Sequence, residues 1–177
     1  MVATVVLLIT QPRLSLAEME EKKSSDRGTT YWIFGFASIG ILSSVLEWSM
    51  LRQFGGFTKL QLIGMILILL SLSFRIYVIQ ILGKSFTATV SIEEDQRLIQ
   101  KGPYSILRHP SYTGAWGYFL GMAIVLNSIA GFLIFFFGLW FAYQRRIAAE
   151  EKALTAHFGE EYLKYQARTF KMIPGIW

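Results

Sequence analysis

Two stretches of this chain, Tyr31 to Met50 and Leu60 to Leu82, are each roughly a bilayer thickness of mostly apolar residues. Such a run satisfies its own backbone hydrogen bonds inside lipid only as a helix, so each predicts a membrane-crossing helix. The second is interrupted only by hydroxyl residues, Gln61, Gly64, Arg75 and Gln80. Two further apolar segments, Tyr112 to Leu126 and Ile129 to Tyr143, are separated by Asn127 and Ser128, and each is shorter than a comfortable crossing. They read as a tight helical hairpin, tilted or not fully traversing. With 53% of residues hydrophobic and 15% aromatic, the chain is too apolar for an ordinary soluble domain.

The connecting segments are polar. Met1 to Ile9 is apolar but too short to span and has no basic flank, so it reads as a tail or the stump of a further helix rather than a signal peptide. Ala17 to Thr30 is a charged linker, and residues 1–30 form a tail and linker ahead of a membrane domain over 31–177. The tail from Gln144 continues as an amphipathic helix with Leu154, Phe158 and Leu163 among charges. Lys and Arg are concentrated in the N-terminal linker, in Gly83 to Pro110 and in the C-terminal tail, while the Asn127 tip has none. Those three segments should share the cytoplasmic side, which an even number of crossings allows. The net charge of +5 is thereby a membrane-surface bias rather than a stripe for nucleic acid. Cysteine is absent, which removes disulfides, thiolate metal sites and cysteine nucleophiles. The expected fold is all-α: a multipass helical membrane protein with about four transmembrane helices, the last two a tight hairpin, and a C-terminal amphipathic helix.

Between the apolar runs lies a dense polar island, Gln96 to Tyr112, and polar residues placed against lipid mark candidate sites. Pro110 suits the first turn of a helix, where its missing N–H costs nothing. The first-turn amides, flanked by Arg108 and His109, would make an anion-friendly pocket for a carboxylate or a ribose hydroxyl. The same residues equally describe an interfacial belt anchoring a helix end at headgroup level. Arg146 and Glu150 form an i, i+4 pair: either an ordinary surface ion pair, or a guanidinium that clamps an anionic substrate beside a carboxylate that accepts hydrogen bonds. Glu47 and Arg75 read as interface residues, Arg75 snorkelling to the cytoplasmic end of its helix. His157, Glu160 and Glu161 read as a solvated face, too few for a metal site, and no phosphate-binding glycine loop or HExxH element is present.

The order of LIQKGPYSILRHPSY, an apolar hairpin, RRIAAEEKAL and HFGEEYLKY resembles the isoprenylcysteine carboxyl methyltransferase family, part of a wider group of integral-membrane methyltransferases that includes phospholipid N-methyltransferases. The resemblance covers about Leu82 to Pro174, and the first two spans only in hydropathy. It implies an S-adenosylmethionine-dependent enzyme with its cofactor at the cytoplasmic membrane face, held between 83–112 and 144–170. The family's cofactor contacts fall on Gln96, Arg97, Leu98, Ile99, Tyr104, His109, Pro110, Ser111, Tyr112 and Glu150, and its substrate-contacting arginine falls on Arg146. Gln96 and Arg97 depart from the small or imidazole residues associated with the eukaryotic enzymes there. The implied partners are a prenylated cysteine or other lipid-like substrate and membrane lipid, with neither metal nor nucleic acid. The implied location is the endoplasmic reticulum membrane of a eukaryote or the plasma membrane of a prokaryote.

Methyl transfer from a sulfonium is an in-line displacement that depends on positioning. A carboxylate acceptor is already ionised at neutral pH and needs no general base, whereas an ammonium must first lose a proton, to His109 or Glu150. The resemblance therefore implies carboxyl O-methylation of a prenylated cysteine. Methylation of a phospholipid or other lipid amine, or of a small thiol, stands as an alternative, as does a non-catalytic helical membrane protein.

Overall fold

A computed structural model describes residues 28–50, 58–83 and 97–175. The expectations for Met1 to Ile9, the linker before Gly28 and Gln96 lie outside them. Helix α1 is Thr29–Met50 and α2 is Lys59–Leu82. Both are long and apolar enough to cross a bilayer. Few of their residues are buried against protein, and large side chains such as Leu70, 64% exposed, point outward. That much exposed apolar surface would be untenable in water, and the chain is an integral membrane protein.

Thr58 starts α2 through a capping box: its hydroxyl accepts from the Gln61 amide at 3.2 Å while Gln61 Oε1 accepts from the Thr58 amide at 3.0 Å. The remaining Gln61 donor reaches the Val125 carbonyl at 3.1 Å, tying the start of α2 to the end of the next long helix. That helix, α3, runs Pro110–Val125 with Pro110 in its first turn. Leu126 to Ser128 turn the chain, with Asn127 at φ 50°, and the Ser128 hydroxyl caps α4, Ile129–Leu133. The second apolar segment of the hairpin runs on past Tyr143 into the amphipathic tail. It passes through a π-helical turn, Ile134–Leu139, into α5, Trp140–Phe158, as one continuous rod. A carbonyl at this π turn, that of Phe135, accepts from Trp116 Nε1 at 3.1 Å, which satisfies it inside the bundle.

Two antiparallel zippers assemble these rods. Helix α2 runs against α3 with small residues at the seam, as membrane helices pack when apolar burial alone favours no partner over lipid. A Cβ on Gly121 would lie 2.9 Å from the Gly64 carbonyl oxygen, and one on Gly117 would meet the Ser71 hydroxyl. Helix α1 runs against α4–α5 in the same way. Its rungs are Glu47 with Ser128 and Ala130, Ser44 with Gly131, Gly40 with Phe135, Phe36 with Gly138, and Trp32 with Phe141. Glu47 closes one end: its carboxylate accepts from the Ser128 hydroxyl at 2.6 Å and the Ala130 amide at 3.1 Å.

At the other end a 3₁₀ turn, Gly102–Ser105, precedes α3, and α6, Glu160–Gln166, follows α5. The C-terminal strand of chain crosses beneath the start of α3. Phe170 N donates to the Ile106 carbonyl at 2.8 Å, Arg108 N to the Phe170 carbonyl at 2.8 Å and His109 N to the Lys171 carbonyl at 2.9 Å. Thr113 Oγ1 donates to the Met172 carbonyl at 2.7 Å. The amphipathic tail differs from its expected face: Leu163 is exposed, while Tyr162 and Tyr165 are the buried residues of α6. Tyrosine suits that place because its hydroxyl can be satisfied, and Tyr165 donates to the Tyr104 carbonyl at 2.6 Å.

The α2–α3 seam gives a direct expectation. Gly121→Val forces backbone apart and should lower stability by about 1–3 kcal/mol. Gly35→Ala, with nothing within 4 Å of the added carbon, should leave the thermal unfolding midpoint in detergent at or above wild type.

Candidate functional site

The two zippers bring one end of every long helix together: the first turn of α1, the last turns of α2, the first turn of α3 and the middle of α5. There Glu150 and Glu151 sit side by side. Successive helical residues point about 100° apart, so each carboxylate has an arginine of its own and the two share only His109. Glu150 Oε1 accepts from the Tyr112 hydroxyl in a very short contact and from Arg146 Nε at 3.0 Å. Its Oε2 lies 3.2 Å from His109 Nδ1. Glu151 Oε1 accepts from Arg108 Nε at 2.7 Å and lies 3.4 Å from His109 Nε2, a charge contact without hydrogen-bond geometry. Lys171 Nζ is 4.0 Å from the other oxygen.

His109 is thus an imidazole buried between two carboxylates. It caps α3 from a non-helical backbone conformation, and its ring lies 6.0 Å from that of Tyr112, nearly parallel. Burial works against the imidazolium, but the hydrogen bond to Glu150, the contact with Glu151 and their charges outweigh it and hold the pKa above its ordinary value of 6.5. Burial likewise works against ionised Glu150, yet His109, Arg146 and Tyr112 bring its pKa down to about 2. Glu151 is held below the usual carboxylate range, burial again opposed by His109 and Arg108.

Arg146 is not a surface pair. It is only 3% exposed, and its Nε also donates to the Tyr112 hydroxyl at 3.2 Å. Its Nη1 reaches across to α1, donating to Thr30 Oγ1 at 2.8 Å, with Thr29 Oγ1 at 3.5 Å. Arg108 is equally committed. Besides Glu151, its Nη1 donates to the Gln166 carbonyl at 3.1 Å and, in a very short contact, to the Thr169 carbonyl. At the start of α3, where an anion-friendly pocket was expected, the flanking Arg108 and His109 face the protein's own carboxylates. Arg75 has a specific partner on α3. Its Nη1 donates to the Ser111 carbonyl at 2.6 Å, and it packs on Gly114, where a Cβ would lie 2.9 Å from its own.

The structure gathers His109, Tyr112, Arg146 and Glu150 into one network. Pro110 is buried in the turn that presents them, and Ser111 enters through its carbonyl. Tyr104 is buried nearby and donates to the Val78 carbonyl at 3.3 Å, so it joins α2 to α6 rather than the charge cluster. Arg97 is exposed and Leu98 and Ile99 are half-buried, and the polar network does not include them. Thr29, Thr30, Arg75 and Glu151 are residues that sequence patterns did not place in the site. Only Glu151 left a signal, as half of an acidic doublet on a partly apolar helix. Among the described residues, the buried side-chain nitrogen and oxygen atoms without a hydrogen-bond partner include His109 Nε2, Tyr162 Oη and Arg75 Nε. Glu151 and Arg108 are the charged groups that act most on the Tyr162 hydroxyl. No group of His, Asp and Glu among the described residues is arranged to hold a metal ion.

The linkage has two signs. Glu150 and Glu151, depressed, stabilise above the ordinary carboxylate value of 4.5 and lose that contribution as pH falls below it. His109, raised, stabilises fully below 6.5 and loses its contribution as pH rises through its elevated pKa. The unfolding midpoint should be highest between those two values, and His109→Gln should flatten the alkaline limb; a midpoint that rises above pH 7 in wild type contradicts the assignment.

A family model described as phospholipid methyltransferase matches residues 60–161. The chain is 35% identical over 122 residues to protein-S-isoprenylcysteine O-methyltransferase of Saccharomyces cerevisiae, covering 67% of this chain and 51% of that one. It is 32% identical over 115 residues to protein-S-isoprenylcysteine O-methyltransferase B of Arabidopsis thaliana, covering 64% of this chain and 58% of the relative. Among solved structures it resembles the eukaryotic intramembrane Ras methyltransferase ICMT (isoprenylcysteine carboxyl methyltransferase), with a TM-score of 0.73 at 28% identity over 78% of this chain and 52% of the other. The chain spans about half the length of these relatives.

Proposed function

The chain belongs to the phospholipid methyltransferase family, and from that premise we propose that it methylates the C-terminal carboxylate of a prenylated cysteine, with S-adenosylmethionine as donor. One observation carries the choice of acceptor. The titratable groups at the centre of the site are poor bases: His109, Arg146 and Tyr112 bring Glu150 down to a pKa of about 2, Glu151 is likewise held low, and His109 is biased to the already protonated imidazolium. An amine or thiol acceptor requires a base. A carboxylate requires only a cation to orient it and surroundings that strip its hydration. Arg146, buried at the end of an apolar bundle, supplies the first, and the aromatic rings of Tyr112 and Tyr143, 5.0 Å apart, contribute to the second.

The polar atoms around the cluster fit the proposed cofactor. His109 Nε2 and Tyr162 Oη are buried donors suited to the hydroxyl and carboxylate groups of such a ligand. Tyr104, His109, Ser111, Tyr112 and Glu150 would hold it, with Gln96 to Ile99 completing the loop side. When bound, the cofactor supplies an electrophilic methyl group on a sulfonium. The chain's part is to fix the acceptor oxygen in line with that methyl and to keep water out.

In this reading α1, α2, α3 and α4–α5 make four crossings, the last two a hairpin whose tip is Asn127. The basic segments and the site face the cytoplasm, with the lipid chain of the acceptor lying in the bilayer.

Purified protein incubated with labelled S-adenosylmethionine and a farnesylated cysteine analogue should form a base-labile methyl ester. Arg146→Lys, which loses the planar fork, should lower kcat/KM on the order of tenfold or more. Glu150→Ala should abolish S-adenosylhomocysteine binding in calorimetry. Base-stable label on a lipid amine, with none on the carboxylate, would replace this reading with N-methylation.

A further inference from the structure

Arg146 is held from two sides, and only one of them lies in the part of the chain that the family model matches. Glu150 and Tyr112 hold its Nε, both within 60–161. The other side is the first turn of α1, where the hydroxyls of Thr30 and Thr29 accept from Nη1. This contact is the last rung of a zipper whose other rungs are fixed by close packing: Phe36 against Gly138, Gly40 against Phe135, Ser44 against Gly131, and the Glu47 clamp on Ser128 and Ala130. Trp32 and Phe36, both less than two turns from Thr30, meet Phe141 edge-on, and Phe141 is itself less than two turns from Arg146. The register that places the Thr30 hydroxyl 2.8 Å from the guanidinium is therefore set elsewhere and imposed on Arg146.

We propose that Thr30 is a positioning residue for the methyl acceptor: it fixes the plane of the Arg146 guanidinium, and so the direction in which an acceptor carboxylate can be held. A guanidinium binds a carboxylate through a planar fork, so rotating the plane changes where the acceptor oxygen sits even if the charge stays in place. A neutral hydroxyl suits the task because it orients the cation without neutralising it. An acidic residue there would compete for the same charge. Thr29, buried and more distant, backs the contact.

This inference rests on the acceptor reading above, and the experiment separates the two. Wild type, Thr30→Val, Thr30→Ser and Thr30→Asp are compared as full chains in nanodiscs. The readouts are KM and kcat for the farnesylated cysteine analogue, binding of that analogue in the presence of S-adenosylhomocysteine, and S-adenosylhomocysteine affinity alone. Thr30→Val should raise the acceptor KM on the order of tenfold, the scale of one hydrogen bond to a charged group, with the product-cofactor affinity unchanged. Thr30→Ser should restore wild-type values. Thr30→Asp should abolish acceptor binding while keeping product-cofactor affinity, which keeps the test decisive should Thr30→Val fail to fold. An unchanged acceptor KM in Thr30→Val, or parallel loss of product-cofactor affinity in either variant, overturns the positioning role. A wild type that neither binds nor methylates the analogue overturns the acceptor reading and this inference with it.

Discussion

Two adjacent carboxylates held within an apolar bundle end, Glu150 and Glu151, govern how this end of the molecule is built. Charges removed from water are tolerated only when each is paired and hydrogen-bonded. Because the two point about 100° apart on one helix, each needs partners of its own besides the His109 they share. Arg146 and Tyr112 attend to Glu150, Arg108 and Lys171 attend to Glu151, and His109 lies between them. Each partner recruits something further: Arg146 brings in the start of α1, Arg108 the carbonyls that end α6, and the backbone of His109 the C-terminal strand. The network joins segments that share no local sequence relationship, and its members polarise and titrate together.

Packing along the spans follows a different rule. Lipid tails are as apolar as leucine, so the helices gain little from hiding apolar surface from one another and associate through close approach and hydrogen bonds. Glycine at 64, 114 and 121 brings the backbones of α2 and α3 into contact, while glycine at 40, 131 and 138 makes room for the facing Phe135, Ser44 and Phe36 side chains between α1 and α4–α5. The polar interactions sit at the two ends, with Glu47 on Ser128 at one and the carboxylate network at the other. Small residues set how near the rods lie, and the ends set which residue faces which.

This division explains what was legible in the sequence. Apolar runs gave the rods, because length and hydropathy are local properties, and the motif around His109 to Tyr112 with Arg146 and Glu150 named residues that meet in one polar network. Thr30 was unreadable because its partner is 116 positions away and nothing about an isolated threonine predicts it. Arg75 hid its partner for a related reason: a lone arginine near a helix end shows nothing of the Ser111 carbonyl it donates to, or of Gly114, on which it packs. At Tyr143 hydropathy falls while the helix, continuous through the π turn, runs on into its amphipathic part, so the end of the apolar run marks a change of surroundings and not of secondary structure. Arg108 looked available for a ligand because the carboxylate that occupies it lies on another helix.

Helix α1 touches both polar ends, Glu47 at one and Thr30 at the other, about 25 Å apart along its axis. That makes it a ruler. Its lipid-facing side can change composition freely so long as it stays apolar, but its length between those residues is fixed. One inserted residue would lengthen the helix by only about 1.5 Å, yet it would swing every side chain on one side of the insertion by about 100° relative to the other. Sequence drift in this helix is therefore expected to proceed by substitution and to leave its length untouched.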